Sequence, residues 1–390
     1  MKKLLLFIAF ALLGGTMYAQ DDYSNYPVYT GTDLGLNYSK EESVFKIWSP
    51  IAEEAQLLIY AKGEGQPALK TVKMEKGEKG SWQAVVKSDL LGKYYTFKVK
   101  VYGEWRKEVP DPYAMAVGVN GKRAQVIDMN ALSPEGWDND KSPAFGSNKP
   151  TDAIIYELHV RDASIHPSSG IKNKGKFLGL AEAKTKSPSG ANTGLAHLKE
   201  LGVTHIHLLP FFDYNSVDES KPEKPQYNWG YDPLNYNALE GSYATKADNG
   251  MVRIKEMKDM VFAMHKNGLR VVMDVVYNHT GVTEASNFNQ LVPGYYYRHK
   301  ADGSFSDASA CGNEVASEMP MMRKFMIESL KHWVLEYHID GFRFDLMGIH
   351  DIETMNEISK ALKSIKPDIL LYGEGWAGGS SPMAEEKRAV

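Results

Sequence analysis

The chain has 390 residues, 43% of them hydrophobic, enough to bury a substantial core and to form two or three domains. Its net charge of −4 is spread without long runs, and no basic patch is present to recruit nucleic acid or an anionic membrane surface, so the expected partner is neutral. A single cysteine, Cys311, excludes an internal disulfide framework and reads as a small buried hydrophobe rather than a nucleophile.

Residues 1–19 read as a signal peptide. Lys2 and Lys3 precede an apolar run from Leu4 to Leu13, too short to span a bilayer at roughly 20 residues. Cleavage is expected after Ala19, although Met17 stands where a small residue is preferred. The mature protein is then secreted or periplasmic, with no membrane insertion after signal cleavage. Residues 23–148 are short, alternating and punctuated by turns. Ser43–Ser49, Ala55–Tyr60, Gly80–Val86 and Tyr94–Val101 have strand composition and spacing, and no helical period competes with them, which predicts a β-sandwich. A stretch carrying Pro134, Gly136, Pro143, Gly146 and Pro150 marks the boundary.

From residue 152 to residue 390 the rhythm changes to strand, loop, helix, repeated. Ala153–Val160, Val203–Leu209, Leu269–Val276, Ile339–Leu346 and Ile369–Glu374 read as strands. A helix near Thr193–Leu201 separates the first two. Asn249 and Gly250 open a second helix whose inward face is Ile254, Met257, Val261 and Met264, and Gly268 ends it. Pro320, at the first-turn position proline tolerates, opens a third with the stripe Met322, Met326, Leu330, Trp333 and Tyr337. A last helix carries Ile352, Met355, Ile358, Leu362 and Ile365 inward. Such units make a parallel sheet, either open or closed as an α/β (β/α)8 TIM barrel. His279, Asp345 and Glu374 each fall at the C-terminal end of a different strand, where barrel enzymes place their chemistry. No glycine-rich phosphate loop of the open-sheet kind is present.

Asp345 and Glu374 are the candidate catalytic carboxylates. Retaining glycoside hydrolysis uses one carboxylate as nucleophile and a second as acid and then base, about 5–5.5 Å apart. Arg343 shares a strand face with Asp345 and should favour its ionised form; an isolated Arg-x-Asp also fits a buried structural ion pair. Glu374 needs an apolar neighbourhood to hold its proton, with Trp376 and Tyr372 as part of that wall. His279 can hydrogen-bond a sugar hydroxyl or be a satisfied core histidine, and Asp274 is a buried carboxylate supporting its strand. Tyr227–Pro233 is a tight loop whose rings, Trp229 and Tyr231 among them, offer stacking faces. Aromatic content of 11% suits sugar recognition, but it suits a β-rich core equally well.

On these motifs the chain resembles the type I pullulanases of the α-amylase superfamily, glycoside hydrolase family thirteen. Asp274–His279, Gly341–Asp345 and Gly373-Glu374 match the superfamily's third-, fourth- and fifth-strand motifs, and Tyr227–Pro233 matches the signature that separates these pullulanases from plain amylases. The resemblance implies hydrolysis of α-1,6 branch linkages in pullulan, amylopectin, glycogen or limit dextrins. By it Asp345 is the nucleophile and Glu374 the acid/base, Arg343 and His279 hold the nucleophile and the sugar, and Tyr231 stacks on that sugar. It also implies that residues 23–148 are a carbohydrate-binding module of the isoamylase N-terminal type. No cofactor is required. Calcium is an option suggested by Asn278 and by family habit, with no acidic ligand cluster visible. The superfamily's third carboxylate lies near a seventh strand, whereas this sequence reaches Val390 after the fifth; the expectation is therefore an incomplete barrel, strands one to five only, without turnover by this chain alone. A glucan-binding protein without turnover and an α-1,4-acting relative are the competing readings.

Overall fold

The computed structural model describes residues 22–390. The expected signal peptide lies outside the described residues.

The amino-terminal half is a β-sandwich. One sheet runs β1 (Gly35–Tyr38), β2 (Ser43–Trp48), β6 (Ser81–Val86), β5 (Glu75–Lys76); the other runs β4 (Lys70–Lys73), β3 (Glu54–Tyr60), β7 (Tyr94–Val101), β8 (Glu104–Trp105), with β9 (Ala124–Gln125) also on β7. All the pairings are antiparallel. Alternation puts Phe45 and Ile47 of one sheet and Ala55, Leu57, Phe97 and Val99 of the other into the shared interior.

The second half is built on one parallel sheet, ordered β10 (Ile155–Leu158), β13 (His205–Leu208), β16 (Arg270–Val275), β17 (Gly341–Phe344), β18 (Leu370–Gly373). That is the expected order of the first five strands of a barrel. Helices α2 (Gly194–Leu201), α3 (Gly250–Lys266), α5 (Pro320–Tyr337) and α6 (Ile352–Ile365) connect them. Asn249 caps α3 by accepting the Met251 N–H, and Pro320 opens α5 as expected. The inward stripes of α3 and α5 are buried throughout.

In α6 the expectation fails at the ends. Ile358 and Leu362 are buried, but Ile352 and Ile365 are exposed. A 14-residue helix is about 21 Å long, whereas the four-residue strands β17 and β18 that it joins are each about 13 Å, so its ends overhang the sheet. Strands β1, β4, β5, β8 and β9 of the sandwich have no counterpart in the sequence reading, and neither do three features of the second half: short helices α1 (Phe177–Ala181) and α4 (Asn287–Leu291), the small hairpin β11 (Thr185–Lys186) and β12 (Asn192–Thr193), and the antiparallel pair β14 (Phe212–Tyr214) and β15 (Pro233–Leu239). The last pair carries the aromatic loop between its strands. No helix of the described residues is long and apolar enough to cross a membrane.

The halves share polar contacts as well as core. Gln125 of β9 accepts the Gly250 N–H at 2.9 Å, satisfying an orphan donor at the start of α3, and Ser49 donates to the Leu291 carbonyl at 2.6 Å.

Candidate active site

Parallel register sets the site. Asp274 of β16 pairs with Arg343 of β17, and Arg343 with Tyr372 of β18, so these three side chains lie in one layer on the inner face. Asp345 and Glu374 follow one layer higher, at the strand ends.

Arg343 is the hub. Its Nη1 lies 2.9 and 3.0 Å from the two oxygens of Asp274 and 3.0 Å from Asp345 Oδ1, while its Nη2 donates to Glu374 Oε1. One guanidinium thus serves three carboxylates, more than the single partner read from Arg-x-Asp. Asn278 fixes the other edge of Asp345, donating Nδ2–H to Oδ2 at 2.8 Å and to its carbonyl at 2.9 Å. Asp274 is fully buried and also takes the Tyr231 hydroxyl at 2.9 Å.

Arg343 favours the ionised form of Asp345, as expected, but the sum of the surroundings runs the other way. Burial pushes its carboxyl up to about 6; the Asn278 hydrogen bond opposes that, the Asp274 charge adds to it, the Arg343 cation opposes it and Glu374 adds again. The cation alone does not decide the protonation state, because desolvation is the larger effect.

Glu374 is not walled by apolar groups. Its Oε1 pairs with Arg343, and its Oε2 accepts the Leu346 N–H at 3.1 Å. Trp376 is 59% exposed, and the Tyr372 ring packs edge-on against His207, one layer below. Leu346 itself adopts φ 40°, ψ 50°, a left-handed conformation that costs a non-glycine residue about 1–3 kcal/mol and here aims its N–H at the carboxylate.

His279 is buried, with Nδ1 2.6 Å from Asn278 Oδ1 and Nε2 2.9 Å from the Tyr231 carbonyl. Burial lowers its pKa to about 4, so the ring is neutral and donates to one of these two acceptors. Both ring nitrogens already face protein acceptors, so any sugar hydroxyl would have to displace one of these contacts. Its structural effect is to tie the aromatic loop to the end of β16.

In that loop Gly230 has φ 84°, and a Cβ there would sit 2.8 Å from the Pro210 carbonyl oxygen, so the turn requires glycine. Trp229 and Tyr227 stand exposed and stacked, ring centres 5.8 Å apart at 28°. Tyr231 is half-buried and anchored through its hydroxyl. Cys311, expected to be buried, is exposed on the loop that also carries Asp307 and Ser309.

His207, which the sequence reading did not single out, reaches Asp274 Oδ2 at 3.2 Å from β13. An acidic cluster also emerges that sequence separation conceals: ligand oxygens of Asp213, Glu219 and Glu240 lie within 4.8 Å of one another. The Arg253 guanidinium stands among them, 2.7 Å from Glu219 and 3.5 Å from Asp213, so the chain itself fills the cationic position and the group does not fit a divalent ion.

Two family models match: carbohydrate-binding module 48 (isoamylase N-terminal domain) over residues 33–114, and alpha amylase, catalytic domain, over residues 188–301. The pullulanase of Bacillus subtilis (strain 168) is 42% identical over 363 residues, 93% of this chain and 49% of the relative. The chain belongs to the α-amylase superfamily. Within that superfamily it is also 33% identical over 410 residues to pullulanase 1, chloroplastic, of Arabidopsis thaliana, covering 92% of this chain and 41% of the relative. The crystal structure of pullulanase from Paenibacillus barengoltzii in complex with maltohexaose and α-cyclodextrin superposes with a TM-score of 0.91 at 53% identity, over 95% of this chain and 57% of that one. The pullulanase from Bacillus acidopullulyticus gives 0.90 at 44% identity, over 94% and 44%. The chain spans about half the length of the curated relatives it matches.

Proposed function

We propose that this α-amylase-superfamily chain carries the reaction centre of an exported debranching hydrolase that cleaves α-1,6 linkages in branched α-glucans such as pullulan, amylopectin, glycogen or limit dextrins. The observation that carries the reading is the Arg343 guanidinium holding Asp345 and Glu374 together at the ends of adjacent strands. Asp345, ionised above its pKa of about 6, attacks the anomeric carbon with its Oδ2 edge oriented by Asn278. Glu374 protonates the departing glycosidic oxygen and then takes a proton from the water that resolves the glycosyl-enzyme. For Glu374 to donate a proton, this mechanism requires that substrate binding draw it away from Arg343. Asp274 keeps Arg343 aimed, and the exposed Trp229 and Trp376 rings offer stacking surfaces for flanking sugars. The similarity to pullulanases, one of them crystallised in complex with maltohexaose, supports a maltooligosaccharide-type substrate. In this reading the chemistry needs no cofactor, and the carboxylates around Arg253 are not a calcium site.

The test is product analysis in the full-length natural protein. Pullulan should yield maltotriose released in the α configuration; panose or isopanose as the main product would assign an α-1,4 specificity. Binding of branched glucan without new reducing ends would make the protein a non-catalytic binder. Asp345→Asn should retain glucan binding in affinity gels and lose turnover, to below about one per cent of wild type.

A further inference from the structure

We infer that His207 is a positioning residue for the reaction, acting through Asp274. It lies on β13, in register with Glu157 on one side and Val272 on the other, so its side chain points to the same inner face as Asp274 from one layer below. The ring is buried, and its Nε2 is 3.2 Å from Asp274 Oδ2. An ionised carboxylate only accepts, which assigns the proton to Nε2. That same oxygen takes the Tyr231 hydroxyl at 2.9 Å and Arg343 Nη1 at 3.0 Å.

The three donors come from three different segments: β13, the aromatic loop and β17. Together they leave the Asp274 carboxylate no free rotation, and its plane sets where the Arg343 guanidinium sits. Arg343 in turn meets both Asp345 and Glu374. A tilt introduced at Asp274 is therefore passed to both reacting carboxylates. His207 is held in its own turn by the Tyr372 ring, edge-on at 5.9 Å, and its Nδ1 faces Glu157 Oε2 at 3.6 Å, too long for a hydrogen bond. Nothing else within the barrel interior competes for Nε2 among the hydrogen bonds of the described residues. The inference rests on the two-carboxylate reading but not on the choice of linkage.

The test compares His207→Leu, which removes the donor at similar volume, with His207→Gln, which restores an N–H donor. Turnover is measured in the full-length natural protein on an aryl α-maltotrioside, so that an error in the assigned branch specificity leaves the comparison intact. His207→Leu should lower kcat about tenfold with KM changed less than about twofold, and His207→Gln should recover most of the loss. Equal rates for the leucine variant and wild type, or a glutamine variant no better than leucine, would overturn the assignment. A readout independent of turnover is exchange of the Arg343 guanidinium protons in 15N-arginine-labelled protein. These should exchange slowly in wild type and His207→Gln and rapidly in His207→Leu; unchanged exchange in the leucine variant would refute the coupling.

Discussion

At the scale of single residues the site is governed by competition for one cation. Burial is the largest influence that raises Asp345 to about 6, and Arg343, shared with Asp274 and Glu374, offsets only part of it. Since the nucleophile must be ionised, kcat/KM should fall about tenfold per pH unit below about 6. Asn278→Ala removes a hydrogen bond that favours the charged form, so it should move this acid limb to higher pH. Glu374→Gln removes a neighbouring negative charge and should move it lower, as measured on an aryl glycoside whose leaving group needs little protonation. On that substrate the glutamine variant should keep bond cleavage that it loses on pullulan; equal loss on both would remove Glu374 from the role of acid. Arg343→Lys replaces a planar fork by a point charge that cannot hold both carboxylates, and it should cost activity more than glucan binding.

At the scale of elements, the side of the barrel opposite the reaction is stapled by charge. His265, near the end of α3, bonds Asp140 of the interdomain segment at 2.7 Å and Asp340, just before β17, at 2.8 Å. His338, at the end of α5, meets the same Asp140 at 2.8 Å and stacks on Trp137, ring centres 4.1 Å apart. Burial alone would lower the His265 pKa; the two carboxylates outweigh it and raise the group to about 9. A histidine raised on folding contributes stability that is fully present below its unfolded value near 6.5 and is lost as pH rises through about 9. We expect roughly 2–3 kcal/mol to disappear over that window. The thermal midpoint should drop correspondingly between pH 6.5 and 9.5, and His265→Gln should flatten the dependence. A wild-type midpoint that is level over this range would contradict the ion-pair account. The staple needs Asp140, which lies in the Pro/Gly-punctuated stretch between the two architectures, so this boundary is packed rather than free.

At the scale of the whole molecule, the sandwich is locked to the barrel through Arg253. Its guanidinium donates to the Gly118 carbonyl of the sandwich at 3.1 Å, to the Leu239 carbonyl at 2.7 Å and to Glu219 at 2.7 Å. Asn120 and Glu219 exchange backbone-to-side-chain bonds of 2.6 and 2.7 Å across the same seam. Burial pushes Asp213 and Glu240 well above the ordinary carboxylate range, as expected where three carboxylates face one cation. Removing that cation leaves uncompensated buried charge, so Arg253→Met should destabilise the protein by about 3–5 kcal/mol. We expect denaturant unfolding to split into separate sandwich and barrel transitions in the variant. Gly121, at φ 63°, is part of this seam: a Cβ there would stand 2.2 Å from Asp213 Oδ2, so Gly121→Ala should open the same contact.

Much of this molecule is legible in the order of its residues, because periods of 2 and 3.6 are local properties of a backbone. The sandwich strands β2, β3, β6 and β7, the five parallel strands, the Asn249 cap, the proline start of α5 and the buried stripes of α3 and α5 follow from neighbours a few positions apart. So does the placing of Asp345 and Glu374 at strand ends. What surrounds those groups is decided elsewhere. Arg343 meets Asp274 across 69 positions and Glu374 across 31, and His207 meets Asp274 across 67. Only the register of parallel strands brings such pairs together. The same holds for the β14–β15 pair, whose strands are separated by the aromatic loop, and for the acidic cluster around Arg253. Local sequence carries no signal of either, since their partners are contributed by segments that meet only once the sheet and the sandwich are packed. Glu374 looked like a carboxyl among aromatics because Tyr372 and Trp376 are its neighbours in the chain; in space its neighbour is a guanidinium, since strand pairing and not chain proximity chooses what a side chain on the inner face of a barrel will touch.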